Sequence, residues 1–300
     1  IAPLEAAEDR LARAFAPVGH LHAVVNTPQW REAYAACVEQ LTDYGTDVGQ
    51  HEGLCAVYKA VQESEDFVAL TVEQQQAVHK AVKDFVLSGV DLPTEDKKIA
   101  KQQQLRLSEL STQFSNQLLD ATQAWNYHVT DETELQGVTE AGKALLANNA
   151  QTKGKNGWLL TLDFPSYQAV ITYADNRALR EKLYHAYSTR ASDQFPQGDQ
   201  TNTWDNTPLM AEMLALRYQS AQLLGFGNYA ELSLANKMAQ DPAQVIAFIR
   251  DLIGKGKPKA QQELAALKAR AAQDGVLDYA SWDHAYYSEK LQQEQYQLAE

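Results

Sequence analysis

The stretch "LSELSTQFSNQLLDATQAW" (107–125) places apolar residues three or four positions apart along its whole length. That spacing brings them to one side of an α-helix. Glu95 and Asp96, which follow Thr94, favour the positive end of a helix just upstream. The sequence therefore predicts a helix from Glu95 to Trp125, about 46 Å long at about 1.5 Å per residue. Its predicted inward face consists of Leu107, Leu110, Phe114, Leu118, Ala121 and Trp125.

Residue pairs ending in proline predict where further helices begin. A Thr or Asp side chain can accept hydrogen bonds from free backbone N–H groups, and proline fits the first helical position. Such pairs are Thr27-Pro28, Thr207-Pro208 and Asp241-Pro242, and helical apolar spacing follows each. The same spacing predicts shorter helices over 72–87, 139–149 and 176–189.

Only "GWLLTLDF" (157–164) has the pattern of a strand. It is short and apolar, with Gly157 at its start and Pro165 directly after it. "QGDQTNTWDN" (197–206) has the composition of a polar loop. The predicted class is therefore all-α, a large multi-helix assembly with at most one or two short strands near 158–163. No linker is strong enough to divide residues 1–300 into two domains.

Composition restricts the possible partners. The net charge of −13 argues against binding to nucleic acid, which requires clustered basic residues. No apolar run reaches the roughly 18 residues of a membrane span. Cys37 and Cys55 are too few for a disulfide framework, which favours a cytoplasmic location. The first residue is Ile1, and the helical pattern of "YYSEKLQQEQYQLAE" (286–300) has no stop signal, so we expect a piece of a longer polypeptide.

The stretch "GQHEGLCAVYKA" (49–60) raises the question of a zinc site. A zinc peptidase helix has the motif His-Glu-x-x-His, and here Cys55 stands in the fifth position after His51. The two side chains share a helix face, and Cys is a zinc ligand. Two ligands do not make a site, however, and Gly53 weakens the helix. We favour an ordinary helix start whose packed residues are Leu54, Cys55, Val57 and Tyr58, with no metal ligand in the segment.

The stretch "SWDHAYYSEK" (281–290) combines aromatic and polar residues. Trp282, Asp283, Tyr286 and Tyr287 are candidate substrate-channel residues, with Asp283 as a hydrogen-bond acceptor. The alternative is a capped helix start, in which Asp283 lies near the N-terminus and the aromatic rings point inward. The sequence leaves both interpretations open.

Several long stretches together resemble the thimet-oligopeptidase-like zinc metallopeptidases. They are "GQHEGL", "LSELSTQFSNQLLDATQAW", "LLTLDFPSYQAVITYADNRALREKLYHAYSTRASD", "LALRYQSAQLLGFGNYAELSLANKMA" and "WDHAYYSEK". Each alone is modest, but their order and spacing extend the resemblance over nearly the whole chain. The resemblance implies a helical, ellipsoidal protein with a deep channel that admits short unstructured peptides.

In that family, one zinc ion is held by the two histidines of His-Glu-x-x-His and a later glutamate. The motif glutamate is the general base, and downstream tyrosine and histidine groups stabilise the oxyanion. None of these residues can be assigned in this sequence. The resemblance therefore implies that residues 1–300 are a non-catalytic N-terminal half, whose partners are short peptides and its own C-terminal catalytic half, which holds the zinc beyond residue 300. The alternative is a stand-alone helical module that binds peptides, or serves as a scaffold, without cleaving them.

Overall fold

Helices form most of the chain in the computed structural model, which describes residues 1–195 and 204–296. In chain order they are α1 (Ala2–Val24), α2 (Pro28–Gly49), α3 (Glu52–Glu63), α4 (Val72–Leu87), α5 (Thr94–Ala124), α6 (Glu140–Thr152), α7 (Phe164–Tyr173), α8 (Arg177–Ser188), α9 (Thr207–Leu223), α10 (Tyr229–Leu234), α11 (Pro242–Gln273) and α12 (His284–Tyr296). Two short strands, β1 (Asn126–Val129) and β2 (Trp158–Thr161), pair in antiparallel register. The predicted all-α class is confirmed.

The helix starts follow the capping chemistry of the sequence. Thr27 accepts a hydrogen bond from the backbone N–H of Trp30 (3.2 Å) and begins α2. Asp241 accepts from the N–H of Gln244 (2.7 Å) ahead of α11. Asn176 accepts from the N–H of Leu179 (3.1 Å) and begins α8. Each cap satisfies a backbone donor that the first turn of a helix leaves free.

Two elements near the predicted strand were not predicted. Pro165, interpreted above as the residue that ends the strand, lies in the first turn of α7, where its missing N–H costs nothing. The partner strand β1 is short and lies directly after α5, so that Val129 pairs with Trp158. Most of the predicted polar loop, residues 197–203, lies outside the described residues.

The chain divides into two compact units. Unit 1 comprises residues 1–113 and 209–246, and unit 2 comprises residues 114–208 and 247–300. In unit 1, α3 packs on α4 around Cys55, Phe85 and Val90. Whether residues 1–300 are the N-terminal half of a longer protein stays a prediction.

Unit 2 contains the larger core. The strand β2 packs on α6, and α7 packs against both α8 and α12. The fully buried side chains at the centre include Leu135, Leu146, Leu160, Leu162, Val170 and Leu183. This core fixes α7 and α8, and with them the segment that joins the two helices.

Among the described helices, none combines the length and the apolar character needed to cross a lipid bilayer.

Candidate functional site

Helix α8 carries two arginines, Arg177 and Arg180, on neighbouring positions of one face. Arg180 is buried, and it lies between Leu179 and Leu183, which are also buried. A guanidinium in such surroundings requires acceptors for its N–H groups, because an unpaired buried charge is strongly unfavourable.

Asp283 supplies the main acceptor. Arg180 Nη2 donates to Asp283 Oδ1 (2.8 Å), and Arg177 Nη2 donates to Asp283 Oδ2 (3.0 Å). The same carboxylate accepts from the backbone N–H of Ala280 (3.0 Å), which closes the turn before α12. One buried carboxylate therefore joins two guanidinium groups of α8 to the start of α12.

The charges in this cluster are stabilised mutually. Burial alone would raise the pKa of Asp283, but hydrogen bonds from Arg177, from the N–H of Ala280 and from Arg180 outweigh it and hold the pKa below its ordinary value. The hydrogen bond to Asp283 is the main reason that the pKa of Arg177 is raised. Asp283 is thus ionised at neutral pH and serves as a hydrogen-bond acceptor.

The Nη1 and Nε donors of Arg180 bind backbone carbonyls. Nη1 donates to the oxygen of Ala174 (2.7 Å), and Nε donates to the oxygen of Trp282 (3.3 Å). The guanidinium carbon lies 3.9 Å from the centre of the Tyr286 ring, a cation–π arrangement. The hydroxyl of Tyr286 donates to Asp175 Oδ1 (2.6 Å). Burial, reinforced by this hydrogen bond, raises the pKa of Tyr286 above its ordinary value.

The structure brings the four predicted channel residues together around Arg180. Asp283, Tyr286 and Tyr287 are buried, and the two tyrosines meet edge to face. Trp282 is half-buried, and its indole Nε1 has no hydrogen-bond partner among the described residues. The interpretation of this stretch as a capped helix start agrees with the hydrogen bond from Ala280 to Asp283. That these residues line a substrate channel stays a prediction.

Sequence reasoning missed the arginines that organise the site. Arg177, Arg180 and Asp175 all lie inside the stretch "ADNRALREKLYHAY" (174–187), but nothing singled them out. The available signal was the position of Arg180 beside Leu179 and Leu183 on the inward side of a helix. An arginine in that position indicates acceptors elsewhere in the chain, of which a buried carboxylate is one kind.

The His-Glu stretch in unit 1 is an ordinary helix start. His51 Nδ1 accepts a hydrogen bond from the backbone N–H of Leu54 (3.1 Å) and so caps α3. Cys55 is buried, and Leu54 and Tyr58 pack beside it, as predicted. The prediction for Val57 was wrong, because that side chain is exposed.

The described residues do not assemble a metal centre. Across residues 1–195 and 204–296, no three or more His, Cys, Asp or Glu side chains are grouped so that they could hold a metal ion. The carboxylate of the unit 2 cluster is already engaged by two arginines and a backbone N–H. What this geometry accomplishes is the rigid attachment of α8 to α12.

Two family descriptions match the chain, one after the other. Residues 1–97 match "Neurolysin/Thimet oligopeptidase, N-terminal domain", and residues 170–300 match "Peptidase family M3". Both segments are thus similar to the thimet-oligopeptidase and M3 peptidases. The resemblance stated from the sequence stretches is thereby confirmed, and the Arg177–Arg180–Asp283 cluster lies inside the region matched to the M3 peptidases.

Individual relatives show how much of a similar protein this chain spans. It is 48% identical over 299 residues to oligopeptidase A of Salmonella typhimurium and to that of Escherichia coli. In both comparisons the match covers 99% of this chain and 44% of the relative. Oligopeptidase A of Haemophilus influenzae is 44% identical with the same coverage. The chain thus spans less than half the length of the curated relatives it matches.

Proposed function

We propose that this chain is the non-catalytic N-terminal part of a zinc-dependent oligopeptidase, which we call the parent protein. The observation that supports the proposal most directly is the asymmetry of the match, which takes in 99% of this chain but 44% of oligopeptidase A. The match of residues 1–97 to an N-terminal domain description supports placing the rest of the parent protein after this chain.

Zinc does not fit the residues described in this chain, since they contain no group of three or more potential ligands. The proposal therefore assigns the zinc ion and the reacting side chains to the rest of the parent protein. When bound there, zinc would act as a Lewis acid toward a peptide carbonyl and its attacking water.

The contribution of this chain is to enclose the substrate and to support the catalytic part. The proposed substrates are short unstructured peptides, and the residues proposed to line their channel are Trp282, Asp283, Tyr286 and Tyr287. The Arg180–Asp283 pair would keep this wall rigid, because both side chains are buried and hydrogen-bonded to each other. Two free cysteines are compatible with a reducing compartment, and we place the parent protein in the cytoplasm.

Peptide cleavage by the parent protein tests this proposal. We expect hydrolysis of short unstructured peptides, loss of that activity with a chelator, and recovery when zinc is restored. A parent protein that binds such peptides but leaves them intact in the presence of zinc would favour the alternative, a stand-alone helical binding module.

A further inference from the structure

Within unit 2, the first part of helix α11 carries four apolar side chains that no other described residue of that unit covers. These side chains, which we call the α11 stripe, are Phe248, Ile249, Leu252 and Ile253, and their exposed fractions are 62%, 48%, 51% and 55%. They lie one, three or four positions apart, so they form a continuous strip along one side of the helix. An apolar strip of this kind is typical of a surface that is buried in the native assembly.

The α11 stripe continues a face that is already buried further along the same helix. Leu267 lies about five helical turns after Ile249, and Ala271 about five turns after Ile253, so the two pairs point to the same side. Leu267 and Ala271 are buried in a cluster with Tyr286 and Tyr287 of α12. The same side of α11 is thus buried near the C-terminal end of the helix and exposed near its N-terminal end.

Charged residues border the stripe. Arg250 and Asp251 are exposed between its two pairs of apolar residues, and Lys255 follows and contacts Asp251 at 2.7 Å. An apolar centre with a charged, solvent-accessible rim is the usual anatomy of a contact between two folded surfaces.

The length of the relatives indicates what covers the stripe. More than half of each oligopeptidase A lies outside the matched region, while the whole of α11 lies inside the region matched to peptidase family M3. We propose that the α11 stripe is the docking surface for the part of the parent protein that lies outside this chain. This inference rests on the proposed function, and it assigns to that interface four named side chains.

Thiol labelling of the complete parent protein tests the inference. Ile249→Cys and Leu252→Cys place a thiol on the stripe, and Leu277→Cys is the matched control because Leu277 is 87% exposed outside the stripe. With Cys37 replaced by Ser and each modified site identified by mass spectrometry, we expect the stripe thiols to react with a maleimide at least ten times more slowly than the control. In urea all three should react at the same rate. Equal rates in the native protein would overturn the inference.

A second measurement avoids substitution. Hydroxyl-radical footprinting of the unmodified parent protein should leave Phe248 at least several-fold less oxidised than the exposed Leu277. Protection that disappears on dilution would assign the stripe to a second copy, and protection that appears only with added peptide would assign it to substrate; either result contradicts the proposed occupant.

Peptidase assays on the same samples separate the two proposals. Zinc-dependent cleavage together with unprotected stripe residues would refute the docking surface and leave the proposed function intact. Protected stripe residues in a parent protein without peptidase activity would refute the function and leave the docking surface intact.

Discussion

Asp283 and Arg180 form an ion pair at 2.8 Å although neither side chain reaches solvent, with exposed fractions of 0% and 1%. Asp283 lies in the turn before α12, and Arg180 lies on α8, so the two residues are far apart in the sequence. Their pairing therefore couples two distant segments of unit 2. It also explains why Tyr286 occupies a buried position, since its ring packs on the Arg180 guanidinium.

We expect Asp283→Asn to destabilise unit 2 by about 3–5 kcal/mol, because it leaves the buried guanidinium without its counter-charge. The matched control is Lys259→Gln, which removes an ion pair with Glu263 in unit 2 whose partners are both exposed. That change should cost far less, because solvent screens an exposed ion pair. Urea unfolding followed by tryptophan fluorescence measures the difference, since four of the five tryptophans lie in residues 114–300. Equal losses in the two variants would contradict the structural role of the pair.

The Asp283 carboxylate should also make the stability of unit 2 depend on pH. The pKa of Asp283 is lowered in the folded protein, so between that value and the unfolded value of about 3.9 the unfolded state binds more protons. The stabilisation is therefore present above about pH 4 and is lost as the pH falls through the folded pKa. Below about pH 4, the difference in free energy of unfolding between the native sequence and Asp283→Asn should shrink steadily as the pH falls. A difference that widens below that pH would contradict the predicted direction of the pH dependence.

Gly137 lies close to the segment between α7 and α8 that Arg180 contacts. Its φ is +88°, and a β-carbon there would overlap the backbone oxygen of Tyr173. The neighbouring oxygen of Gln136 accepts from the N–H of Asp175 (2.8 Å), close to the carbonyl of Ala174 that Arg180 binds. Gly137→Ala should therefore cost more than about 2 kcal/mol, since steric overlap adds to the left-handed backbone strain.

Gly154→Ala is the control for that substitution. Gly154 also has a positive φ, +67°, but a β-carbon there would meet no atom within 4 Å. Only the backbone strain of about 1–2 kcal/mol should appear. Comparable melting temperatures for the two variants would mean that the close approach at Gly137 relaxes without cost.

The His51 and Cys55 pair leads to a prediction about metal content. Because Cys55 is buried among apolar residues and His51 caps α3, Cys55→Ala should leave the zinc content of the parent protein unchanged. His51→Ala should lower stability by about 1 kcal/mol through loss of the cap, and His51→Asn should restore most of it. Elemental analysis and thermal unfolding provide the two readouts. Loss of one zinc equivalent in Cys55→Ala would restore these residues as ligands.

The parts of the fold that could be predicted from sequence are those set by local chemistry. The helix start after Thr27 and the long helix α5 follow from capping residues and apolar spacing, and both lie where they were expected. The strand β1 could not be predicted in the same way, because four residues after a helix carry too little periodicity. It exists through its pairing with β2, which is a non-local contact.

Local pattern also fails to predict how a helix face is covered. On α5, Leu110 and Ala121 are fully buried as expected, whereas Leu118 on the same predicted face is 36% exposed. Likewise, the residues of "SWDHAYYSEK" drew attention by composition, but their partner Arg180 could be identified only in three dimensions. Whether two inward-facing charged residues pair with each other depends on tertiary packing, which the periodicity of the sequence does not encode.

The central claim is that the metal is held by polypeptide outside this chain, and counting zinc tests it most directly. The purified 300-residue chain and the parent protein are each loaded with zinc, dialysed, and analysed for zinc equivalents per mole of protein. We predict about one equivalent in the parent protein and none in the 300-residue chain. One tightly bound equivalent in the 300-residue chain, removed by substitution of His51 or any other side chain of this sequence, would contradict the account.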